Sequence, residues 1–107
     1  TGVMSNVWEI LVPVTYPSGR KIKKRYHRQW DAQVRAITTG LTIMRPGKGH
    51  WISPAGVLFT ERMIPVRIVC DELAMQHIAA ITLEHYRQEA VMVTRLGTGR
   101  IIFAEKK

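Results

Sequence analysis

Six cations fall between positions 20 and 28: Arg20, Lys21, Lys23, Lys24, Arg25 and Arg28, with His27 among them and no carboxylate before Asp31. Such a field concentrates anions and speeds their capture. Arginine forks suit phosphate and pyrophosphate oxygens in particular. A solvated charged turn is the plain alternative. A second cluster is Pro46-Gly47-Lys48-Gly49-His50-Trp51. It lacks the G-x-x-x-x-G-K-[ST] spacing of a phosphate loop and leads into a strand pattern, not a helix. Two glycines around a lysine nevertheless let backbone N–H groups approach an anion. Lys48, His50 and Trp51 add a charge, a hydrogen bond and a stacking face. An ordinary β-turn with a core Trp51 is equally compatible. On chemistry alone, the candidate ligand set is Arg25, Arg28 and Arg62 for phosphate, Trp51 or Tyr86 for stacking, with Lys48 and His50 beside them.

Other chemistries find little support. The histidines at 27, 50, 77 and 85 form no H-x-x-x-H pair, and His77 and His85 are about 80° apart around a helix. With one cysteine and no carboxylate at ligand spacing, no metal site and no disulfide is expected. Cys70 closes an apolar run and reads as a small buried hydrophobe. His85 lies on an apolar stripe and reads as a hydrogen-bonded core or interface histidine. Glu61 and Glu84 lack a partner that would separate their pKa values, and Glu61-Arg62 suits a strand-edge ion pair. No nucleophile elbow or Ser–His signature occurs. The expectation is a non-enzymatic protein without a cofactor. A small oligomeric enzyme acting on a small substrate stays open as an alternative.

The elements that must position these residues follow from periodicity. Val7 to Tyr16 alternates, with Trp8, Ile10, Val12, Val14 and Tyr16 on one face, and Pro17-Ser18-Gly19 ends the strand. Tyr26, Trp30, Val34 and Ile37 form one stripe of an amphipathic helix that follows the basic stretch and stops at Gly40. Asp31 and Arg35 make a supportive i,i+4 pair. Leu41 to Arg45 is a short strand, 46–49 a loop and residues 50–60 a hairpin turning at Ser53-Pro54-Ala55-Gly56. Ile64 to Cys70 alternates as another strand. Asp71 is a natural N-cap with Glu72 in the first turn, and that helix runs to about Tyr86, where Arg87 can satisfy its last carbonyls. Glu89 to Leu96 and Arg100 to Ala104 read as strands joined by the turn Gly97-Thr98-Gly99. Lys106 and Lys107 trail off.

The order β-α-β-β-β-α-β-β contains a ferredoxin-like β-α-β-β-α-β core, with an extra hairpin and a C-terminal strand, in the α+β class. Both helices should cover one face of an antiparallel sheet. The other face would carry Leu11, Val69 and Met92 among Glu9 and Arg67, a half-apolar surface that suits a homodimer or larger homo-oligomer.

The 107 residues suit one domain, and 46% hydrophobic content supports a core without staples. Thr1-Gly2-Val3 precede Met4 and read as a cloning remnant. No apolar run approaches a bilayer span and no leader pattern is seen, so the expectation is a cytoplasmic protein without a membrane partner. The charge of +8 is uneven: residues 1–53 hold nine Lys/Arg against two acids, and residues 54–107 seven against six. Nucleic acid is a possible partner for such a domain. However, the segments around Val57-Leu58-Phe59 and Arg100-Ile101-Ile102-Phe103 do not match the aromatic pattern of RNA-recognition modules.

Three segments carry a family resemblance: GLTIMRPGKGHW at 40–51, SPAGVLFTERMIPVRIVC at 53–70 and TLEHYRQEAVMV at 82–93. Together they resemble the first Thoeris anti-defence family of phage proteins, which sequester cyclic ADP-ribose signals. The pattern G-L-T-[IV]…G-x-W also resembles an uncharacterised bacterial family of similar size, and mobile-element cassette proteins look alike. The Thoeris resemblance implies a sponge: a protein that holds a small cyclic nucleotide, does not cleave it, and so blocks a defence effector. It also implies ligand pockets at subunit interfaces, with an aromatic against the base and arginines on the phosphates.

Overall fold

The computed structural model describes residues 2–105, so Thr1 and the pair Lys106 and Lys107 lie outside the described residues. Apolar alternation marks β1 (Gly2–Pro13) and the second half of β4 (Leu58–Val69), and backbone pairing builds the other strands around them. β1, β4 and β5 (Val93–Ile102) are long, while β2 (Gly40–Ile43) is short. They stand in the order β2-β4-β1-β5, all antiparallel, with β3 (Gly47–Ile52) also paired to β4. With helices α1 (Lys24–Arg35) and α2 (Glu72–His85), this is the α+β, ferredoxin-like arrangement, and β3 is the added strand.

The register explains the core. Trp8, Ile10 and Val12 face Ile68, Val66 and Ile64 across the β1–β4 ladder, so one face of the sheet is uniformly apolar. Trp30 and Val34 of α1, with Met75 and Ile78 of α2, close over it. The α1 stripe is as periodicity predicts: Trp30 and Val34 are buried, Tyr26 and Ile37 partly so. Asp71 caps α2, its carboxylate accepting from the Ala74 amide at 2.8 Å. The indole N–H groups find partners, Trp30 donating to Thr82 Oγ1 at 3.0 Å and Trp8 to the Cys70 carbonyl at 2.9 Å. Cys70 itself is buried, and burial pushes its thiol up to about 11.

Several boundaries differ from the sequence reading. Gly2 and Val3 extend β1 and pair with Ile102 and Ile101. The basic stretch does not all precede the helix, because α1 begins at Lys24 and takes Lys24, Arg25 and Arg28 into its first turns. Residues 47–49 are strand rather than loop. β4 runs unbroken through Glu61 to Met63, because β3 pairs with its first half just as β2 pairs with its second. The turn expected at Gly97-Thr98-Gly99 is the interior of β5. Here a bulge between Val7 and Trp8 of β1 skips Leu96, and Gly97 adopts φ +148°. Glu89 to Met92 is not strand.

β1 links two ribbons that leave the core in opposite directions. Beyond Val14, whose amide still bonds Arg62, the β3–β4 hairpin continues as an arm, and beyond Val7 the β1–β5 pair continues to Gly2 and Ile102. The molecule is 57 Å long and 30 Å by 24 Å across. The uncovered face of the sheet carries Leu11, Val69 and Met92 as expected, with Arg67 and Glu9 paired at 3.7 Å. That ion pair is solvent-accessible and contributes little. No helix among the described residues is long and apolar enough to cross a membrane.

Candidate functional site

The β1–α1 connection folds back on itself. Tyr16 N–H donates to the Arg20 carbonyl at 2.8 Å, Gly19 takes φ +88° at the turn, and Thr15 bridges to Lys21. This small loop leans over the ends of both helices and borders a half-open cavity of about 570 Å³, within the usual range for small-molecule sites. Arg20, Lys21 and Lys23 line it from the loop, Tyr26 and Gln29 from α1, and His85 and Arg87 from the end of α2, with Tyr16 at the strand end. Four cations and two phenol rings converge there, and among the described residues no carboxylate lines it.

Two features reinforce the positive field. α1 has Lys23 at its N-cap with no side-chain capping bond and no acid in its first turn, although the helix dipole favours negative charge there. Arg87 follows the Tyr86 cap of α2 in the left-handed region at φ +54°, and its amide donates to the Glu84 carbonyl at 3.3 Å. A glycine normally takes that place. The backbone N–H, not the guanidinium, thus satisfies the helix end.

His85 and Tyr26 are locked together. A carbonyl only accepts, so His85 Nε2–H donates to the Tyr26 carbonyl at 2.7 Å. The two rings also meet edge-on, with centroids 6.5 Å apart. Behind them His27 Nδ1 and the Tyr86 hydroxyl lie 2.7 Å apart. Burial is the main influence holding the His27 imidazole below its ordinary value, which favours the neutral ring, and the tautomer sets which partner donates. Burial also pushes the Tyr86 phenol upward. Thus His85 is hydrogen-bonded as its position on the stripe suggests, but it borders the cavity.

The cavity lining includes none of the seven ligand residues chosen from sequence. Arg25 and Arg28 are three apart, as are Tyr26 and Gln29, but the first pair is turned about 100° from the second. Arg25 instead lays its guanidinium over the Tyr26 ring at 5.2 Å, and Arg28 is exposed outside the lining. Tyr86 offers no stacking face: its side chain is fully buried, 6.2 Å from the Trp30 ring. Lys48, His50, Trp51 and Arg62 all lie on the arm. Because 47–52 is a strand, alternation divides that group. Lys48 and His50 share a face with Arg62 and Thr60, whereas Trp51 stacks on Phe59 on the other face at 4.6 Å. His50 Nδ1 is 3.0 Å from Thr60 Oγ1. Glu61 is exposed and makes no ion pair with Arg62 among the described residues.

The residues that sequence reasoning passed over are Tyr16, Arg20, Lys21, Lys23, Gln29 and Arg87. Three belong to the basic stretch and were legible as charge, not as a site. No group of three or more His, Cys, Asp or Glu side chains among the described residues could hold a metal ion.

No family model matches the chain, and no curated protein sequence matches it. Solved structures do share its fold. A phage SAM lyase in complex with S-methyl-5'-thioadenosine is 16% identical, with a TM-score of 0.65 over 91% of this chain and 88% of that one. CutA1 from Oryza sativa is 13% identical, with a TM-score of 0.63 over 97% and 85% of the two chains. The divalent cation tolerance protein CutA1 from Thermus thermophilus is 11% identical, with a TM-score of 0.59 over 98% and 88%. At these identities the likeness is one of fold.

Proposed function

We propose that this protein captures a small phosphate-bearing nucleotide in the cavity beside the β1–α1 loop and holds it intact, as a sponge for a cyclic ADP-ribose type signal. In this reading it acts in the bacterial cytoplasm and blocks an anti-phage defence. One observation carries the chemistry: Arg20, Lys21, Lys23 and Arg87 converge on a cavity with no carboxylate among the described residues to neutralise them. Guanidinium forks and ammonium groups take the phosphates, Tyr16 offers a ring to the base, and Gln29 supplies an amide. The cyclic ADP-ribose identity rests on the sequence resemblance at 40–51, 53–70 and 82–93.

The same reading includes a homo-oligomer whose occupant for each arm is a second copy. Trp51, Ile52, Val57, Leu58 and Phe59 expose apolar surface at the arm, Ile52 by 68% and Leu58 by 61%. Met4, Ile102 and Phe103 expose more at the other end of the molecule. Two apolar patches at opposite ends suit a head-to-tail contact, which closes into a ring where the rotation allows. Sedimentation as a 12.2 kDa monomer at micromolar concentration would remove this part of the proposal.

A second reading, an enzyme, is favoured by the fold shared with the phage SAM lyase. Cavity charge argues for the sponge, because S-adenosylmethionine carries a cationic sulfonium and the charged side chains of the lining, Arg20, Lys21, Lys23 and Arg87, are all cationic. A thermal-shift panel with cyclic ADP-ribose, S-adenosylmethionine and a short RNA at two salt levels separates the readings. The sponge raises its melting temperature with cyclic ADP-ribose and releases it unchanged on heat denaturation. Recovery of a cleaved product from either small ligand supports the enzyme. Binding of RNA alone, falling steeply with salt, supports a general nucleic-acid domain.

A further inference from the structure

The arm brings two cations together outside the cavity lining. Lys48 and Arg62 are partners across β3 and β4, so their side chains leave the same face with Cα atoms about 5 Å apart. Both are exposed, and among the described residues neither forms an ion pair. Glu61 pairs with Gly49 and so belongs to the opposite face. Like charges placed directly opposite weaken a ladder, and an anion held between them reverses that cost.

The sheet carries this face to the cavity. Val14 N–H donates to the Arg62 carbonyl at 3.2 Å, and Ile22 N–H to the Val14 carbonyl at 3.0 Å. The two limbs of the β1–α1 loop therefore continue the arm's sheet as further short strands. Arg62, Val14 and Ile22 share a row, and Arg20 stands two residues along on the same face, where it lines the cavity. Strand spacing and rise put the Cα atoms of Arg62 and Arg20 about 12 Å apart. Side chains standing parallel at that separation span two phosphates joined through a nucleoside better than one compact pyrophosphate.

We infer that Lys48 and Arg62 form a second anion subsite continuous with the cavity, and that the site takes a dinucleotide, linear or cyclic, with one phosphate in the cavity and the next on the arm. This rests on the nucleotide reading above and changes its ligand from one compact pyrophosphate to two separated phosphates. Neither the cavity nor the arm alone would select such a ligand.

The test is calorimetric titration of the full chain with two probes. The linear diadenylate pApA carries two phosphates separated by a nucleoside, and cyclic ADP-ribose carries a single pyrophosphate. Lys48→Ala/Arg62→Ala should weaken pApA about tenfold, two exposed ion contacts at the upper part of their range, and leave cyclic ADP-ribose within twofold. Arg20→Ala/Arg87→Ala should weaken both. Unchanged pApA affinity in the arm variant overturns the inference and leaves the cavity reading standing. If the wild-type protein binds neither probe, both fall. Affinity that keeps rising with RNA length beyond two nucleotides overturns the dinucleotide in favour of a polymer surface. Melting temperature without ligand supplies a control, since losing the like-charged pair should leave it unchanged or raise it.

Discussion

Arg87 offers a perturbation in which stability and binding should move in opposite directions. Its φ of +54° is a left-handed conformation at the end of α2, which costs a residue with a Cβ about 1–2 kcal/mol relative to the right-handed region. Glycine removes that strain but loses more freedom on folding, by roughly 0.5–1 kcal/mol. Arg87→Gly should therefore stabilise the free protein by about 0.5–1 kcal/mol. For a domain of this size that corresponds to roughly 2–6 °C in melting temperature. The same change removes one of the four cavity cations. A charge-assisted hydrogen bond is worth about 1.5–3 kcal/mol when well buried. In a cavity open to solvent the lower end applies, a loss of about tenfold in affinity. Arg87→Ala separates the two effects, since it removes the charge and keeps the strain. Differential scanning fluorimetry without ligand, paired with titration of cyclic ADP-ribose or pApA, reads both quantities. If Arg87→Gly melts lower than the wild type, the strain argument is wrong. If it binds the nucleotide equally well, Arg87 has no part in the site.

Three further outcomes follow from the packing. Because burial holds the His27 imidazole below its unfolded value of 6.5, the unfolded chain binds the extra proton first. Stability should then fall as pH drops from 7.5 through 6.5 and level off below the folded value. Urea midpoints across that range should show the fall, and His27→Gln should flatten it. A Cβ on Gly99 would lie 2.5 Å from Val7 Cγ2, and Val7 is β-branched in a paired strand. Gly99→Ala should therefore destabilise by about 1–3 kcal/mol, seen as a lower denaturation midpoint; no change would mean that the β1–β5 ribbon yields freely. Thr82 is buried, accepts from the Trp30 indole at 3.0 Å and donates to the Ile78 carbonyl. Thr82→Val keeps the shape and orphans the indole N–H, at a cost of about 1–3 kcal/mol in chemical denaturation.

Periodicity carries information about one element at a time, and at that level the chain was legible. The stripe Tyr26, Trp30, Val34 and Ile37 specified the buried face of α1, alternation from Trp8 to Val12 the buried face of β1, and Asp71 the start of α2. Together these are sufficient for the ferredoxin-like core. The charge imbalance also pointed to the segment that lines the cavity, since three of the four cavity cations come from residues 20–23. Local pattern failed where pairing overrides it. Gly47 to Gly49 look like a loop until β4 supplies a partner, and Gly97 to Gly99 look like a turn until β1 does.

The residue pattern on its own specified most of the elements, the apolar faces of β1 and α1, and an excess of positive charge. Only the tertiary structure decided which charges act together. The helix start at Lys24 rotates Arg25 and Arg28 away from Tyr26 and Gln29, and the strand at 47–52 parts Trp51 from Lys48 and His50. The burial of Tyr86 and the arrival of Arg87 beside residues more than sixty positions earlier depend on how α2 packs against α1. Such convergence is set by register and packing between distant segments, which no window of neighbouring residues encodes.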